Sequence, residues 1–443
     1  LSDTIAALAS GRIPAGVAVI RISGPQAFRI VDKITDIPCR SQQASTARLM
    51  MLRTMLDRRV VDHVLRIVFM NPRSFTGEDV VELHVHGGLV VIDEVLELLY
   101  SAGARPANPG EFSERAFLNG KLDLTQAEAI ADIIAAPTRS ARELASMQLG
   151  GQLTNIITEV EQQIQHARVL VEASIDFPED VGDIDVVALG TILQVAVGDL
   201  ERLQKTARRG RLLRQGASVV LMGAPNVGKS SLLNVLAGKD RAIVSPIAGT
   251  TRDTIDIQIE LAGIPITLTD TAGLRESTDA IEMIGIDRTR QSIGQADIVL
   301  ALESDDTPPI GLAELQSAST VLRVHTKSDI SVNVNESTDK QYVSAKTNHG
   351  IDALIQGIVS RLLDDGNATN SNEPIAINAR HSALITLAIE AIGRVMTASK
   401  AGVTPDLLAV DLHDAAFHLA NISGRNVIDA MHQEIFSRFC IGK

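Results

Sequence analysis

The sequence has 443 residues, enough for two or three domains with cores of their own. Its 41 Lys and Arg against 54 Asp and Glu leave a net charge of −13, which excludes a uniformly basic nucleic-acid coat but not a local patch. The absence of Trp, with two Tyr and nine Phe, argues against a surface built on aromatic stacking of bases.

In chain order, residues 15–24 (AGVAVIRISG) and 64–70 (VLRIVFM) are short β-rich runs closed by Gly or Pro, and Asp79 to Val85 alternates with period two. The first 120 or so residues therefore read as mixed α/β. From Leu122 the period becomes helical, and Thr125-Gln-Ala-Glu128 has the T-x-x-E form of a capping box, which predicts a helix starting there. As far as Arg214 the chain is rich in Gln, Glu and Ala, with breaks mainly around Phe177-Pro178 and Gly182. Long antiparallel helices are expected. Residues 217–363 alternate strand-like runs (218–222, 264–269, 298–302, 321–325) with helical ones, the rhythm of a doubly wound parallel sheet. The polar stretch 364–373 is too poor in apolar residues to pack, and 378–439 is helical again. The economical organisation is one helical domain interrupted by an inserted α/β domain. Cys39 and Cys440 form no CxxC or zinc spacing and suit a reducing compartment. With no basic leader and no apolar run near the ~18 residues of a membrane span, a cytoplasmic protein outside the membrane is expected.

Gly223-Ala-Pro-Asn-Val-Gly228-Lys229-Ser230 fits G-x-x-x-x-G-K-[ST] between a strand-like run and a helical one. In such a loop the glycines let backbone N–H groups turn toward phosphates, the next helix offers its positive end, the Lys neutralises β/γ oxygens and the Ser ligates Mg²⁺. Asn226, Val227, Gly228, Lys229, Ser230 and Ser231 are the candidate phosphate residues. Two further elements follow in order: a loop Ser245-Pro246-Ile247-Ala248-Gly249-Thr250-Thr251-Arg252, and Asp270-Thr271-Ala272-Gly273 closing an apolar strand. In a nucleotide switch these hold Mg²⁺ and sense the γ-phosphate. Thr326-Lys327-Ser328-Asp329 closes VLRVH, and Ser344-Ala345-Lys346 comes after it. A carboxylate at Asp329 accepts from guanine N1–H and the 2-amino group together, so GTP is favoured over ATP. This part resembles the translation-factor-related GTPases, with Thr326 standing where their N-K-x-D carries Asn; a hydroxyl replaces only part of the amide's hydrogen bonding. Leu274 occupies the place of the water-orienting Gln of Ras-like proteins, leaving Arg252, Arg275, Glu276 and Glu282 as candidates to position water.

VIRISG (19–24), SFTGEDVVELHVHGG (74–88), NPGEFSERAFLNGKLDLTQAEAIADII (108–134), the nucleotide motifs and the terminal Phe439-Cys440-Ile441-Gly442-Lys443 together resemble the MnmE (TrmE) family of tRNA modification GTPases over nearly the full length. The resemblance implies a folate-binding, dimerising α/β domain at 1–120, a discontinuous helical domain at 121–214 and 366–443, and an inserted P-loop, Ras-like G domain at 215–365. It also implies that Asn226, Ser245, Ile247 and Thr250 hold K⁺ and that Ser230 and Thr251 hold Mg²⁺. By the same resemblance Glu282 would orient the attacking water, with Lys229 the phosphate cation of catalysis. A 5-formyl- or 5,10-methylene-tetrahydrofolate is placed beside Arg21, Glu82, Lys121 and Lys443, with Cys440 near the one-carbon unit. The implied partners are a second copy of the chain, an FAD-containing MnmG-like protein forming a heterotetramer or larger complex, and tRNA. The implied output is a 5-carboxymethylaminomethyl or aminomethyl group on a wobble uridine. The rival reading is a GTP-dependent binding switch, such as a ribosome-assembly factor, without one-carbon chemistry.

Three other motifs are weak. His84-Val-His86 puts two imidazoles on one strand face without an apparent third ligand. Cys440-Ile-Gly-Lys443 has the position of a prenylation box but not its residues. The basic run Lys205, Arg208, Arg209, Arg211, Arg214 is as much a dipole-matched helix end as an RNA contact.

Overall fold

The structure, a computed structural model, describes residues 3–239, 256–270, 293–307, 315–316, 320–331, 340–363, 375–426, 435–437 and 439–442. Chain contacts divide it into two compact units: Leu1–Ala131, Gln148–Leu193 and Leu387–Lys443 form one, Asp132–Met147 and Gln194–Thr386 the other.

The first unit holds a six-stranded sheet in the order β3-β4-β5-β2-β1-β6, from β1 (Ile5–Leu8), β2 (Ala15–Ser23), β3 (Ala47–Arg53), β4 (Val60–Phe69), β5 (Val80–Gly87) and β6 (Arg105–Pro106). Period-two alternation sorts its side chains. Ala18, Ile20 and Ile22 of β2 and Val81, Leu83 and Val85 of β5 face α1 (Ala27–Ile34) and α2 (Leu89–Ala102) in one core. The intervening residues, Arg21 and Glu82 among them, therefore occupy the opposite face. α2 ends where Gly103 takes φ 116°, returning its N–H to the last turn.

Behind that opposite face, α3 (Glu111–Leu118) seats the fully buried Arg115 among Asp3, Glu78 and Glu111, at 2.8, 3.1 and 2.9 Å. Glu111 also holds Arg105 and accepts the Asn108 amide. Burial alone would raise the Glu111 carboxyl, but these donors outweigh it and the net pKa is lowered.

α4 (Leu124–Ala135) begins close to the expected place, with a different cap. Asp123 accepts the Gln126 N–H at 2.9 Å while the Gln126 side chain accepts the Asp123 N–H at 3.0 Å. The capping box is thus Asp123–Gln126, and Thr125 lies inside the helix, its hydroxyl on Asp123. The acid and amide pair wins because it sits at the residue where the chain turns.

The helical region is more broken than its composition suggests: α5 (Arg139–Leu149), α6 (Gln152–Asp176), α7 (Pro178–Val181), α8 (Val186–Lys205) and α9 (Ala207–Gln215) follow one another. Gly151 at φ 80° separates α5 from α6.

The second unit's sheet has the order β12-β11-β10-β7-β9-β8, from β7 (Ala217–Gly223), β8 (Asp256–Leu261), β9 (Ile264–Asp270), β10 (Ile298–Glu303), β11 (Val321–His325) and β12 (Lys340–Tyr342). All pairings are parallel except β8 with β9. The antiparallel edge strand β8 and the short β12 are additions to the expected doubly wound sheet. α10 (Lys229–Lys239) and α11 (Ile351–Leu363) pack on it around Val219, Leu221, Leu236, Leu300, Val324 and Leu354.

α12 (Ala379–Lys400) and α13 (Pro405–Ser423) complete the helices. Among the described residues α12 is the one helix long and apolar enough by composition to cross a membrane, at mean hydropathy 1.3, which sequence reading did not anticipate. Ile385, Ala388, Ala391, Ile392 and Val395 form a single buried stripe, and Arg394 pairs with Asp411 of α13 at 2.7 Å. That is the pattern of a bundle helix. The linker 364–373 lies outside the described residues.

Candidate functional site

The nucleotide motifs converge at the carboxyl ends of the parallel strands, the usual ligand position in such a sheet. β7 runs out at Gly223 and α10 starts at Lys229. Between them Asn226 (φ 63°) and Gly228 (φ 104°) are left-handed, the conformations that turn successive N–H groups to one side. A Cβ on Gly223 would fall 2.8 Å from Val227 and 2.9 Å from the Leu302 carbonyl, so the strand end requires glycine. Lys229 is buried and its ammonium donates to the Gly223 and Ala224 carbonyls at 2.9 and 3.0 Å. Ser230 and Ser231, in the first turn, are exposed.

Beside this loop a cavity of about 280 Å³ is lined by Gly228, Thr326, Lys327, Asp329, Ala345 and Lys346, with Ile330 and Val343 as apolar walls. Thr326, 4% exposed, donates its hydroxyl to the Val227 carbonyl, with the Glu303 carbonyl 3.2 Å away. It thereby ties the base-side strand to the phosphate loop. Asp329 accepts a hydrogen bond from the Ser344 hydroxyl at 2.7 Å, which lowers its pKa and keeps the carboxylate ionised. Ser344 is itself wholly buried. Asp270, buried at the end of β9, completes the described part. Ser245, Pro246, Ile247, Ala248, Gly249, Thr250, Thr251, Thr271, Ala272, Gly273 and Glu282 lie outside the described residues, as do Arg252, Arg275, Glu276 and Lys443.

In the first unit Arg21 and Glu82 are cross-strand partners on β2 and β5. The guanidinium grips one carboxylate oxygen through Nε and an NH₂ at 2.9 and 2.8 Å. It also lies 5.3 Å from the Phe75 ring centroid and 5.7 Å from that of Phe112. These two rings were not singled out by sequence reading. They stand inside SFTGED and NPGEF, but nothing local says that both rings reach the same strand face. Lys121 donates to the Pro72 carbonyl at 3.1 Å, and its stem lies over Gly77. Cys440 is exposed, and its carbonyl accepts the Gly110 N–H directly before the helix that carries Phe112. The tail continues as Ile441 bridging Pro109 and Gly442 closing on Leu8.

Residues 4–121 match the family model described as GTP-binding protein TrmE N-terminus, and residues 124–440 match that described as MnmE helical domain. The chain belongs to the MnmE family. A tRNA modification GTPase MnmE of Prochlorococcus marinus (strain MIT 9303) is 39% identical, the alignment covering 100% of this chain and 98% of the relative. Those of Natranaerobius thermophilus and Synechococcus sp. (strain RCC307) are 39% and 40% identical over 100% of this chain and 99% and 98% of their own. Among solved structures, the G domain of the T. maritima FeoB iron transporter is 26% identical over 33% of this chain and 98% of its own, with a TM-score of 0.27. The mixed α/β N-terminal part, the helices and the P-loop α/β part of an MnmE-family chain are all present.

The remaining motifs take structural partners. His86 Nδ1 meets Asp62 at 2.6 Å, whereas His84 Nε2 lies 3.8 Å from Glu82. In the basic run Arg211 pairs with Asp297 and Arg214 with Asp132, at 2.9 and 2.6 Å.

Proposed function

We propose that this chain is a GTP hydrolase of tRNA modification, stimulated by K⁺. With an FAD-containing partner and a tetrahydrofolate one-carbon unit, it forms the 5-carboxymethylaminomethyl or aminomethyl group on the wobble uridine of certain tRNAs. The observation that carries the reading is the joining of a P-loop to a guanine-type pocket in a chain that matches MnmE relatives end to end. Asp329, ionised and held by Ser344, suits the paired donors of guanine. Ser344, Ala345 and Lys346 close the base side, while Lys327 covers its plane.

The donor chemistry at the phosphate loop fits the ions. The exposed Ser230 hydroxyl, with Thr251, holds Mg²⁺; the Asn226 amide oxygen, with Ser245, Ile247 and Thr250, holds K⁺. Mg²⁺ and K⁺ supply positive charge against the phosphates. Asp270 supports the Mg²⁺ side, and Glu282 orients water. The one-carbon site fits a folate in the same sense. Arg21, Lys121 and Lys443 are cations for its carboxylates, Glu82 accepts from a pterin edge, the half-buried Phe75 offers a ring face while the fully buried Phe112 backs Arg21, and Cys440 approaches the one-carbon unit.

The homodimer is supported by the outer face of β3 and β4, which leaves Leu49 67%, Leu65 45% and Met51 39% exposed in adjacent positions. The working compartment is the cytoplasm. The domains of this reading are 1–120, 121–214, 215–365 and 366–443, a proposed division.

GTP turnover of the purified chain in KCl and in NaCl at equal ionic strength tests the reading. Faster turnover in KCl, lost in Asn226→Ala, is expected; equal rates in the two salts contradict it. Unchanged turnover in Glu282→Ala contradicts the assignment of the water-orienting residue.

A further inference from the structure

α6 and α13 pack against each other within the first unit, burying Ile157, Val160, Ile164, Leu412, Ala415 and Leu419 along the seam. Above the seam lies a second groove, of about 390 Å³, that shares no lining residue with either site described. Ala416 and Ala420 are its floor, and their small side chains leave the groove open. One wall is His413 and Phe417 of α13, four residues apart and so on one helix face. The other is Thr158, Gln162 and Gln165 of α6, four and three residues apart and so also on one face. Arg168 stands at one end and Arg425 with Asn426 at the other.

The chemistry of this lining is selective. Phe417 is 42% exposed, in a chain with few aromatic residues, and its ring is held edge-on to His418 at 5.9 Å. Three primary amides from Gln162, Gln165 and Asn426 offer donors and acceptors together, as base edges require. The two arginines are engaged by Glu172 and Glu161, but these ion pairs are at the surface, where they are weak and exchangeable for a phosphate. Glu161 and Glu172 balance Arg168 and Arg425, so the groove is near neutral on a chain of −13, and a phosphate would bind there by displacing a carboxylate from its arginine. A hydrophobic peptide would find a groove mostly of amides and charges, poor in apolar wall.

We propose that the α6/α13 groove takes an unpaired stretch of tRNA, with one base stacked on Phe417, its edge read by Gln162 or Gln165, and flanking phosphates on Arg168 and Arg425. The inference rests on the tRNA-modification reading and adds a contact surface on the chain itself. The basic run near residue 211, with Arg211 and Arg214 already paired, is the less suitable candidate.

The test is fluorescence anisotropy of a labelled, unmodified tRNA transcript with uridine at the wobble position, titrated with the full chain over a range of salt. Phe417→Ala is expected to weaken binding by about fivefold or more, the low end of one lost stack, with Phe417→Tyr restoring it. Arg168→Ala and Arg425→Ala together are expected to flatten the salt dependence by about two phosphate contacts. GTP turnover, measured alongside as a check on folding, stays at the native rate. Native tRNA binding that all variants retain, with the same salt slope, overturns the groove and leaves the tRNA reading standing. Absence of tRNA binding by the native chain overturns both. Binding lost in Phe417→Ala but not restored by Phe417→Tyr rejects the stacking role.

Discussion

At Thr326 one residue shows how a departure from a motif is absorbed. Its hydroxyl does the internal half of an asparagine's work, bonding the Val227 carbonyl, but it has no amide left to face a nucleotide. Thr326→Asn is therefore expected to tighten GTP binding by about two- to twelvefold, one net hydrogen bond, as measured with a fluorescent GTP analogue. Unchanged or weaker binding would mean that the hydroxyl already suffices. Asp329→Asn sets an amide against guanine's donors and is expected to weaken GTP by about 30-fold or more, with no such loss for a xanthine nucleotide, whose 2-oxo group accepts from the amide. Equal loss for both nucleotides would place the effect on the fold. Ser344 sets up this carboxylate from a buried position, so its role passes through Asp329.

Among the elements, α4 makes a sharper prediction than the motif around it. Because Asp123 and Gln126 satisfy each other's backbone donors, Asp123→Ala is expected to cost about 0.5–2 kcal/mol, read from denaturant unfolding. Glu128→Ala, which the T-x-x-E reading makes equivalent, is expected to cost less. The reverse order contradicts the assigned cap. Two overlapping patterns offered caps two residues apart, and only the fold decides where the chain turns.

The P-loop was legible because its spacing is itself the chemistry: Gly228 and Lys229 work through backbone shape and reach. The parallel strands were legible as continuous apolar runs. β8 (DIQIEL) alternates instead, a signal that a search for such runs passes over. The pairing of Arg21 with Glu82 follows from strand register, and the convergence of Phe75 and Phe112 on Arg21 depends on contacts far apart in sequence. Neither is written in a local window. Likewise the α6/α13 groove arises from small residues at 416 and 420 opposite amides at 162 and 165, a match that exists only once the helices pair.

For the whole molecule, charge links stability to pH. Asp3 and Glu111 have lowered pKa values: burial opposes the shift, and Arg105 and Arg115 outweigh it. Each therefore contributes stability above its unfolded value, 3.8 and 4.5, that is lost as pH falls through the folded value. Thermal unfolding of the native chain should accordingly be flat in this respect near neutrality and fall steeply below about pH 4.5. Glu111→Gln should unfold at lower temperature at pH 7 and show a shallower acid decline; parallel curves for the two proteins would exclude the contribution. This network also fixes Glu78, the helix carrying Phe112 and hence the surroundings of Arg21.

Whether a GTPase and a one-carbon site share this chain is tested most directly by calorimetric titration with 5-formyltetrahydrofolate. The native chain and an Arg21→Ala variant with native circular dichroism and native GTP turnover are compared. Saturable binding to the native chain, lost in the variant, is the predicted result. No binding by the native chain would contradict this prediction and leave a GTPase whose output is a binding switch.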